Sequence, residues 1–175
     1  MKQWVAFVLM MTAVCASAHA QVQKIDVPGV RNFSRVDATI GCGGATDDSA
    51  YPLLKKEGFS TVVNLRLATE AGVDIPKSQR AAQAAGLRYV HLPFDGAAPD
   101  DTVVDTFLRT VSDKRAQPVF IHCGSANRVG AVWMIKRVLQ DGWSVDRART
   151  EAQAIGLTSA QLDAFAVKYI GAHRR

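Results

Sequence analysis

The side chains best suited to chemistry lie together between His122 and Arg128. Cys123 is followed by Gly124-Ser125-Ala126-Asn127, four small or short polar residues, and then by Arg128. A loop of such residues curls so that its N–H groups converge on an anion, and an arginine gives an oxyanion two parallel hydrogen bonds. Both features also favour the thiolate, the nucleophilic form of cysteine. The pattern predicts a cysteine nucleophile acting on phosphate, sulfate or thiosulfonate groups, with the loop binding the substrate.

Strands and helices alternate along the chain around this loop. A short apolar segment, 118–121, precedes Cys123 and is typical of a strand at the centre of a sheet, and an apolar helix follows Arg128. Further strands are predicted at 36–40, 61–65 and 88–92, and further helices before Gly58 and at 76–85, 101–113, 144–154 and 158–170. This alternation predicts an α/β fold with a mainly parallel central sheet flanked by helices. In such sheets the active site lies at the carboxyl ends of the strands, where Cys123 is expected.

The first twenty residues have the pattern of a secretory signal peptide. Met1-Lys2 is followed by an apolar stretch and then by Ala18-His19-Ala20, which fits the small-x-small rule for cleavage. The apolar stretch is shorter than the ~20 residues that a membrane-spanning helix needs. We therefore predict a signal peptide at 1–20, a single domain at 21–175, and a periplasmic mature protein with no stable insertion in the membrane.

The charge pattern argues against nucleic acid as a partner. The 175-residue chain carries a formal net charge of +5, and its basic residues are scattered except for His173-Arg174-Arg175 at the end. Metal binding also lacks support, because neither Cys42 nor Cys123 lies in a Cys-x-x-Cys or Cys/His ligand pair. We expect a substrate that bears an oxyanion, with no metal ion and no other cofactor.

Cys42 allows a different interpretation of Cys123, because both remain in the predicted mature chain. In an oxidising compartment two cysteines commonly form a structural disulfide. Cys42 follows the predicted strand 36–40, so it could instead approach Cys123 as a redox partner, or be a small buried apolar side chain. The sequence leaves these alternatives open.

The strand, the His-Cys start, the small-residue loop and the arginine that opens a helix resemble the cysteine-dependent dual-specificity and tyrosine phosphatases. The stretches 58–66 and 91–95 resemble the corresponding phosphatase segments, so the likeness covers about 36–170. Four residues separate Cys123 from Arg128, whereas dual-specificity phosphatases have five. A bacterial phosphatase-like branch, found alone or fused to beta-lactamase-like hydrolases, resembles this chain in its shorter loop. The resemblance implies a phosphomonoester hydrolase that forms a cysteinyl-phosphate.

The resemblance also implies roles for residues outside the loop. Asp95 stands where these phosphatases carry the general acid that protonates the leaving group, although it equally fits an ordinary turn. His122 would support the loop and the thiolate from behind, or be a buried histidine without a chemical role. Arg66 and Glu70 follow a predicted strand, and they either line the substrate cleft or form a surface ion pair with each other.

Two other functions remain compatible with the loop. Rhodanese sulfurtransferases also have a strand, a cysteine, a loop of this shorter length and a helix, and they form a persulfide on the cysteine. The second alternative is a catalytically silent anion-binding module, because the loop is one residue short and Val129 stands where related enzymes have Ser or Thr. The sequence does not rank peptide, nucleotide, sugar and inorganic substrates.

Overall fold

The computed structural model describes residues 22–174, so the predicted signal peptide lies outside the described residues. Its centre is a six-stranded sheet in the order β1-β2-β3-β6-β4-β5. The strands are β1 (Gln23–Lys24), β2 (Ser34–Arg35), β3 (Ile40–Gly43), β4 (Thr61–Asn64), β5 (Arg88–His91) and β6 (Val119–His122). Strands β3, β6, β4 and β5 run parallel, whereas β1 and β2 form antiparallel pairs at the β3 edge. The predicted α/β fold with a mainly parallel sheet is confirmed.

Six α-helices flank the sheet in the part of the chain that the structure describes. They are α1 (Tyr51–Lys56), α2 (Ile75–Ala84), α3 (Asp101–Ser112), α4 (Asn127–Leu139), α5 (Val145–Ile155) and α6 (Ala160–His173). Four begin at a side chain that accepts a hydrogen bond from a first-turn N–H, namely Asp74, Asp100, Ser144 and Ser159. No helix between residues 22 and 174 has the length and apolar character to cross a membrane.

Apolar side chains cover both faces of the sheet. Strand β6 alternates between them, because Val119 and Ile121 face one core and Phe120 faces the other. The larger core contains α3 to α6, and within it α4 is buried continuously from Val129 to Ile135. The smaller core contains Tyr51 of α1. Helix α4 is thus held between the sheet and the outer helices, which fixes the position of its first turn.

The bounds predicted for the strand at 36–40 were wrong. Strand β3 begins at Ile40 and continues through the glycines at which the predicted strand ended. A Cβ on Gly41 would lie 2.4 Å from the ring of Phe59, and one on Gly43 would lie 2.9 Å from the ring of Phe120. Glycine therefore lets the backbone pass beside a packed aromatic cluster. Asp37 turns the chain before the strand, since its carboxylate accepts a hydrogen bond from the Thr39 N–H at 2.8 Å.

The parallel register brings three strand ends to one edge of the sheet. His122 of β6 lies opposite Gly43 of β3 and opposite Asn64 of β4. The residues that follow these strands therefore meet at this edge, which is where Cys123 lies.

We predict opposite effects for two glycine-to-alanine changes in helices. A Cβ at Gly130 of α4 would lie 2.8 Å from the Ala152 carbonyl oxygen, whereas a Cβ at Gly171 of α6 would meet nothing within 4 Å. Gly130→Ala should lower the free energy of unfolding by about 1–3 kcal/mol through overpacking. Gly171→Ala should raise it slightly, by up to ~1 kcal/mol, because alanine favours the helix. Urea denaturation measures both, and a Gly130→Ala protein as stable as the wild type would contradict this helix packing.

Candidate active site

The loop after β6 leaves its backbone N–H groups without acceptors between residues 22 and 174. None of the six N–H groups from Gly124 to Val129 donates a hydrogen bond to another described residue. The carbonyl groups are engaged instead, because the Gly124 oxygen accepts from the Ala45 N–H at 2.9 Å and the Ser125 oxygen from the Asn32 amide at 3.5 Å. Carbonyls that are anchored outside leave the N–H groups as a nest for an anion.

Ala126 gives the loop its curvature through an unusual backbone conformation. Its φ of 73° lies in the left-handed region, which costs an alanine on the order of 1–3 kcal/mol. Gly156, between α5 and α6, lies against this residue, and a Cβ there would come within 3.0 Å of the Ala126 Cβ. The loop conformation is therefore imposed by the packing around it.

Cys123 lies at the base of this nest and is only 1% exposed. Its N–H donates to the Gly43 oxygen at 3.3 Å, which ties it to β3. Burial alone would lower the pKa of Arg128, but the hydrogen bond to Glu70 and the negative charge of the Cys123 thiolate outweigh it and raise that pKa. The sulfur and the guanidinium are thus near enough to interact.

Only one nitrogen of the Arg128 guanidinium donates hydrogen bonds to the described part of the protein. Its Nη1 donates to Glu70 Oε1 at 2.6 Å, to the Phe94 oxygen at 3.1 Å and to the Leu65 oxygen at 3.3 Å. Its Nε and Nη2 have no acceptor among the described residues, and Nη2 lies 3.6 Å from the position of a Cβ on Gly124. These two donors are available for a planar, two-bond contact with an oxyanion, and Nη2 lies beside the loop.

Glu70 holds Arg128 in place, a contact that the sequence did not predict for it. Glu70 joins two arginines. Its Oε1 accepts from Arg128 Nη1 and also from the Leu67 N–H at 2.8 Å, and its Oε2 accepts from Arg66 Nε at 2.9 Å. Burial opposes its charge, but the hydrogen bonds from Arg128, Arg66 and Leu67 outweigh this and lower the pKa of Glu70 to about 2. The Arg66-x-x-x-Glu70 spacing was visible in the sequence, but nothing in it indicated a contact with Arg128.

Arg66 lies beside the loop rather than inside it. Beyond its ion pair with Glu70, its Nη2 donates to the Ala71 oxygen at 2.9 Å. It also lines a cavity of about 370 Å³ next to the loop. Of the two interpretations from the sequence, the ion pair is present and Arg66 also faces a cleft.

Asp95 lies in a turn that packs on Arg128. The preceding residue, Phe94, gives Arg128 a carbonyl acceptor, and a Cβ on Gly96 would lie 3.7 Å from the Arg128 side chain. Asp95 itself is half-buried, and one of its carboxylate oxygens accepts from the Ala97 N–H at 2.8 Å. The structure therefore packs the residues on either side of Asp95 against Arg128, and the Asp95 carboxylate closes the turn.

His122 is buried beneath the loop with its ring stacked on Phe120 at 5.7 Å between centroids. Neither ring nitrogen has a hydrogen-bond partner among the described residues. Burial, together with the positive charge of Arg66, lowers the pKa of His122 to about 3. The imidazole is therefore neutral at physiological pH.

The remaining loop residues differ in what their side chains contact. The Asn127 side chain turns to the start of α6, where its oxygen accepts from the N–H groups of Thr158 and Ser159 at 3.0 and 3.1 Å. Ser125 is exposed, and Ala126 is buried. Asn127 therefore anchors α4, and only its backbone belongs to the nest.

Cys42 is a buried free thiol in β3, and Cys123 is free as well. Cys42 pairs with Ile121, so its side chain lies on the same face of the sheet as Cys123. Burial, more than the nearby carboxylates, raises the pKa of Cys42. Cys42 therefore has the character of a small apolar side chain, and the structure contains no disulfide between residues 22 and 174.

The described residues contain no group of three or more His, Cys, Asp or Glu side chains arranged to hold a metal ion.

A parallel sheet that carries a cysteine and an arginine around an N–H-lined loop at its carboxyl edge defines the cysteine-phosphatase class of fold. Residues 16–167 match the family described as a DSP-PTPase phosphatase fused to NAD+ kinase, and the chain belongs to this family. The phosphatase-like resemblance inferred from the sequence is thereby confirmed. A search of the curated proteins found no match.

Several solved structures share this fold, and some of them are described as phosphatases. A putative phosphatase from Shewanella putrefaciens CN-32 has a TM-score of 0.73 at 18% identity, over 85% of this chain and 97% of that one. TpbA from P. aeruginosa has a TM-score of 0.68 at 25% identity, over 89% and 91%. The catalytic core of the PP-IP phosphatase Siw14 from S. cerevisiae has a TM-score of 0.68 at 19% identity, over 82% and 88%. These likenesses agree with the family and with a phosphatase fold.

The buried, neutral His122 predicts a loss of stability in acid. Its pKa of about 3 in the folded protein lies below the ~6.5 of an unfolded chain, so the unfolded state takes up the proton first. The stability that depends on a neutral His122 is fully present above pH ~6.5. It is lost as the pH falls towards the pKa of His122 in the folded protein. Lowering the pH from 7 to 5 should cost about 2 kcal/mol through this residue.

Urea denaturation at pH 7, 6 and 5 measures this dependence. His122→Phe keeps a stacked ring and should flatten the slope, whereas His173→Phe, at the exposed end of α6, should leave it. Equal slopes for the wild type and His122→Phe would show that His122 is protonated in the folded protein as readily as in the unfolded one.

Proposed function

We propose that this protein is a cysteine-dependent phosphomonoester hydrolase that acts through a cysteinyl-phosphate. One observation carries the proposal: the buried Cys123 is followed by six N–H groups without partners among the described residues, and Arg128, whose Nε and Nη2 also have no acceptor there, interacts with Cys123. Such an arrangement fits the three equatorial oxygens of a phosphoryl group during in-line transfer. Membership of a phosphatase family supports the same reaction.

The proposed reaction has two steps. The Cys123 thiolate attacks phosphorus, the bond to the ester oxygen breaks, and Asp95 gives its proton to the departing alkoxide or phenolate. The Asp95 carboxylate then takes a proton from a water molecule, which attacks phosphorus, breaks the S–P bond and releases inorganic phosphate and the thiolate. Arg128 and the N–H groups hold the oxyanion in both steps.

Related structures are consistent with phosphate ester substrates. A cysteine-to-serine variant of TpbA was crystallised in complex with pTyr, and it shares 21% identity with this chain. Siw14 is described as a PP-IP phosphatase. For the present protein we propose a phosphorylated small molecule or side chain as substrate, acted on in the periplasm after removal of residues 1–20.

The four-residue spacing between Cys123 and Arg128 keeps a sulfurtransferase as the second candidate. In that reaction the Cys123 thiolate would accept a sulfur atom from thiosulfate, forming a persulfide and releasing sulfite. No alkoxide leaves in this step, so no general acid is needed. Asp95 therefore discriminates between the two candidates.

We predict that Asp95→Asn slows turnover of an aryl phosphate such as p-nitrophenyl phosphate less than that of an alkyl phosphate. For poor leaving groups the loss in kcat should be about a hundredfold or more, the usual scale of a positioned general acid. Asparagine keeps the hydrogen bond from Ala97, so the turn should be preserved. Asp100→Asn is the matched control, because asparagine also caps α3. Unchanged phosphatase rates in Asp95→Asn, with ready formation of a persulfide on Cys123, would favour the sulfurtransferase.

We predict that Glu70→Gln impairs catalysis more than anion binding. The change weakens the shortest contact of Arg128, so its guanidinium is no longer held in line with the loop. This should lower kcat by about ten- to a hundredfold. Inorganic phosphate should bind within a few fold of its original affinity, because the positive charge near the loop is retained. Glu57→Gln, which removes a surface partner of Arg35, is the matched control. Steady-state kinetics and calorimetry measure the two effects, and an unchanged kcat would contradict the role of Glu70.

A further inference from the structure

The turn formed by residues 95–99 has few contacts that fix its position. Its flanks are held, by backbone hydrogen bonds of the residue before it and by the cap of α3 after it. Within the turn itself, a single hydrogen bond comes from another element in the part of the chain that the structure describes. Gln161 Nε2 of α6 donates this bond to the Ala97 oxygen at 3.2 Å. The position of the turn therefore depends largely on α6.

The hydrogen bond from Gln161 reaches Asp95 through one residue. Ala97 offers its oxygen to Gln161, and its N–H donates to Asp95 Oδ1 at 2.8 Å. Whatever fixes Ala97 therefore also fixes the orientation of the Asp95 carboxyl group. Because Oδ1 accepts this N–H, the proton for a leaving group must be carried by Oδ2, which has no partner between residues 22 and 174.

Two apolar side chains of α6 pack against the same turn. Leu162 lies 3.7 Å from the position of a Cβ on Gly96, and the rings of Phe165 and Phe94 lie 5.8 Å apart between centroids. Residues three apart on a helix share a face, so both side chains project towards the turn. The start of α6 is thus packed against the segment that carries Asp95.

The start of α6 is also bound to the active-site loop. Asn127 accepts hydrogen bonds from the N–H groups of Thr158 and Ser159, and its amide donates to Thr158 Oγ1 at 2.8 Å. Helix α6 therefore contacts the loop just before its first residue and the Asp95 turn within its first turn. One helix end holds both segments, which keeps the nucleophile and the proton donor in a fixed relative position.

We propose that Gln161 is a positioning residue for the general acid: it holds Ala97, and through Ala97 it orients the Asp95 carboxyl group towards the leaving group. The inference rests on the proposed function, because it requires that Asp95 protonates a leaving group. Gln161 makes no hydrogen bond to residues 123–128. Its replacement should therefore weaken proton transfer and leave phosphate binding in the loop as it is.

Steady-state kinetics of variants of the mature protein test this role. Gln161→Glu keeps the shape of the side chain but replaces the donor with a carboxylate, which repels the Ala97 oxygen, whereas Gln161→Arg supplies a donor again. Gln83→Glu is the matched control for the added charge, because Gln83 is an exposed glutamine of α2, on the other face of the sheet. Gln161 is itself exposed, so its variants should fold, and thermal denaturation checks this.

The two substrates are phenyl phosphate, whose leaving group needs a proton, and p-nitrophenyl phosphate, whose leaving group is a stable anion. We expect Gln161→Glu to lower kcat about tenfold with phenyl phosphate and less than about threefold with p-nitrophenyl phosphate, with KM unchanged. Gln161→Arg should recover most of the loss, and Gln83→Glu should leave both rates as they are. In an Asp95→Asn background, Gln161→Glu should cause no further loss, because it acts through Asp95.

Three results would overturn the role of Gln161: no loss of kcat, an equal loss with both esters, or a full further loss in the Asp95→Asn background. The proposed function would still be upheld if Asp95→Asn by itself lowered kcat more for phenyl phosphate than for p-nitrophenyl phosphate. If Asp95→Asn lowers neither rate, or both equally, the proposed general acid fails and the inference about Gln161 fails with it.

Discussion

The ion pair between Arg128 and Glu70 is the contact on which the geometry of the site depends. The Arg128 side chain is only 14% exposed, and an unpaired charge in such a position would cost several kcal/mol. Its acceptors come from different parts of the fold: Leu65 follows β4, Glu70 lies in the next loop, and Phe94 follows β5. Folding therefore orients the guanidinium before any substrate arrives. Only a correctly assembled sheet edge supplies all three oxygens together.

The active-site loop is supported from behind by the two short N-terminal strands. Asn32, which itself has a φ of 52°, donates to the Ser125 and Ile155 oxygens at 3.5 and 3.0 Å. Lys24 of β1 donates to the Asn32 side chain at 2.6 Å and to the Ile155 oxygen at 3.0 Å. Together with Gly156 these contacts hold the left-handed turn at Ala126. The antiparallel strands at the edge of the sheet thus stabilise the strained loop, whereas the parallel strands at the centre set its position.

Charge is divided across the carboxyl edge of the sheet. The loop combines N–H dipoles with Arg128, so it attracts anions, whereas the neighbouring cavity carries carboxylates. Glu70 lies between the two with Arg66 on its other side, and its low pKa keeps it charged across the physiological range. The neutral His122 adds no positive charge beneath the loop.

The sequence by itself determined the features that depend on local chemistry. The alternation of strands and helices, the helix caps, and the run from Cys123 to Arg128 all follow from residues near one another in the chain, so they could be predicted without a structure. Predictions failed or stayed open where distant residues meet. Packed aromatic rings decide that β3 continues through its glycines, and contacts with the α6 start turn the Asn127 side chain away from the loop. Arg128 and Glu70 are 58 residues apart, and their contact exists only because parallel pairing brings the ends of β4 and β6 to one edge. Periodicity and spacing report on short-range geometry, whereas the partners of a buried charge are selected by the packing of the whole domain.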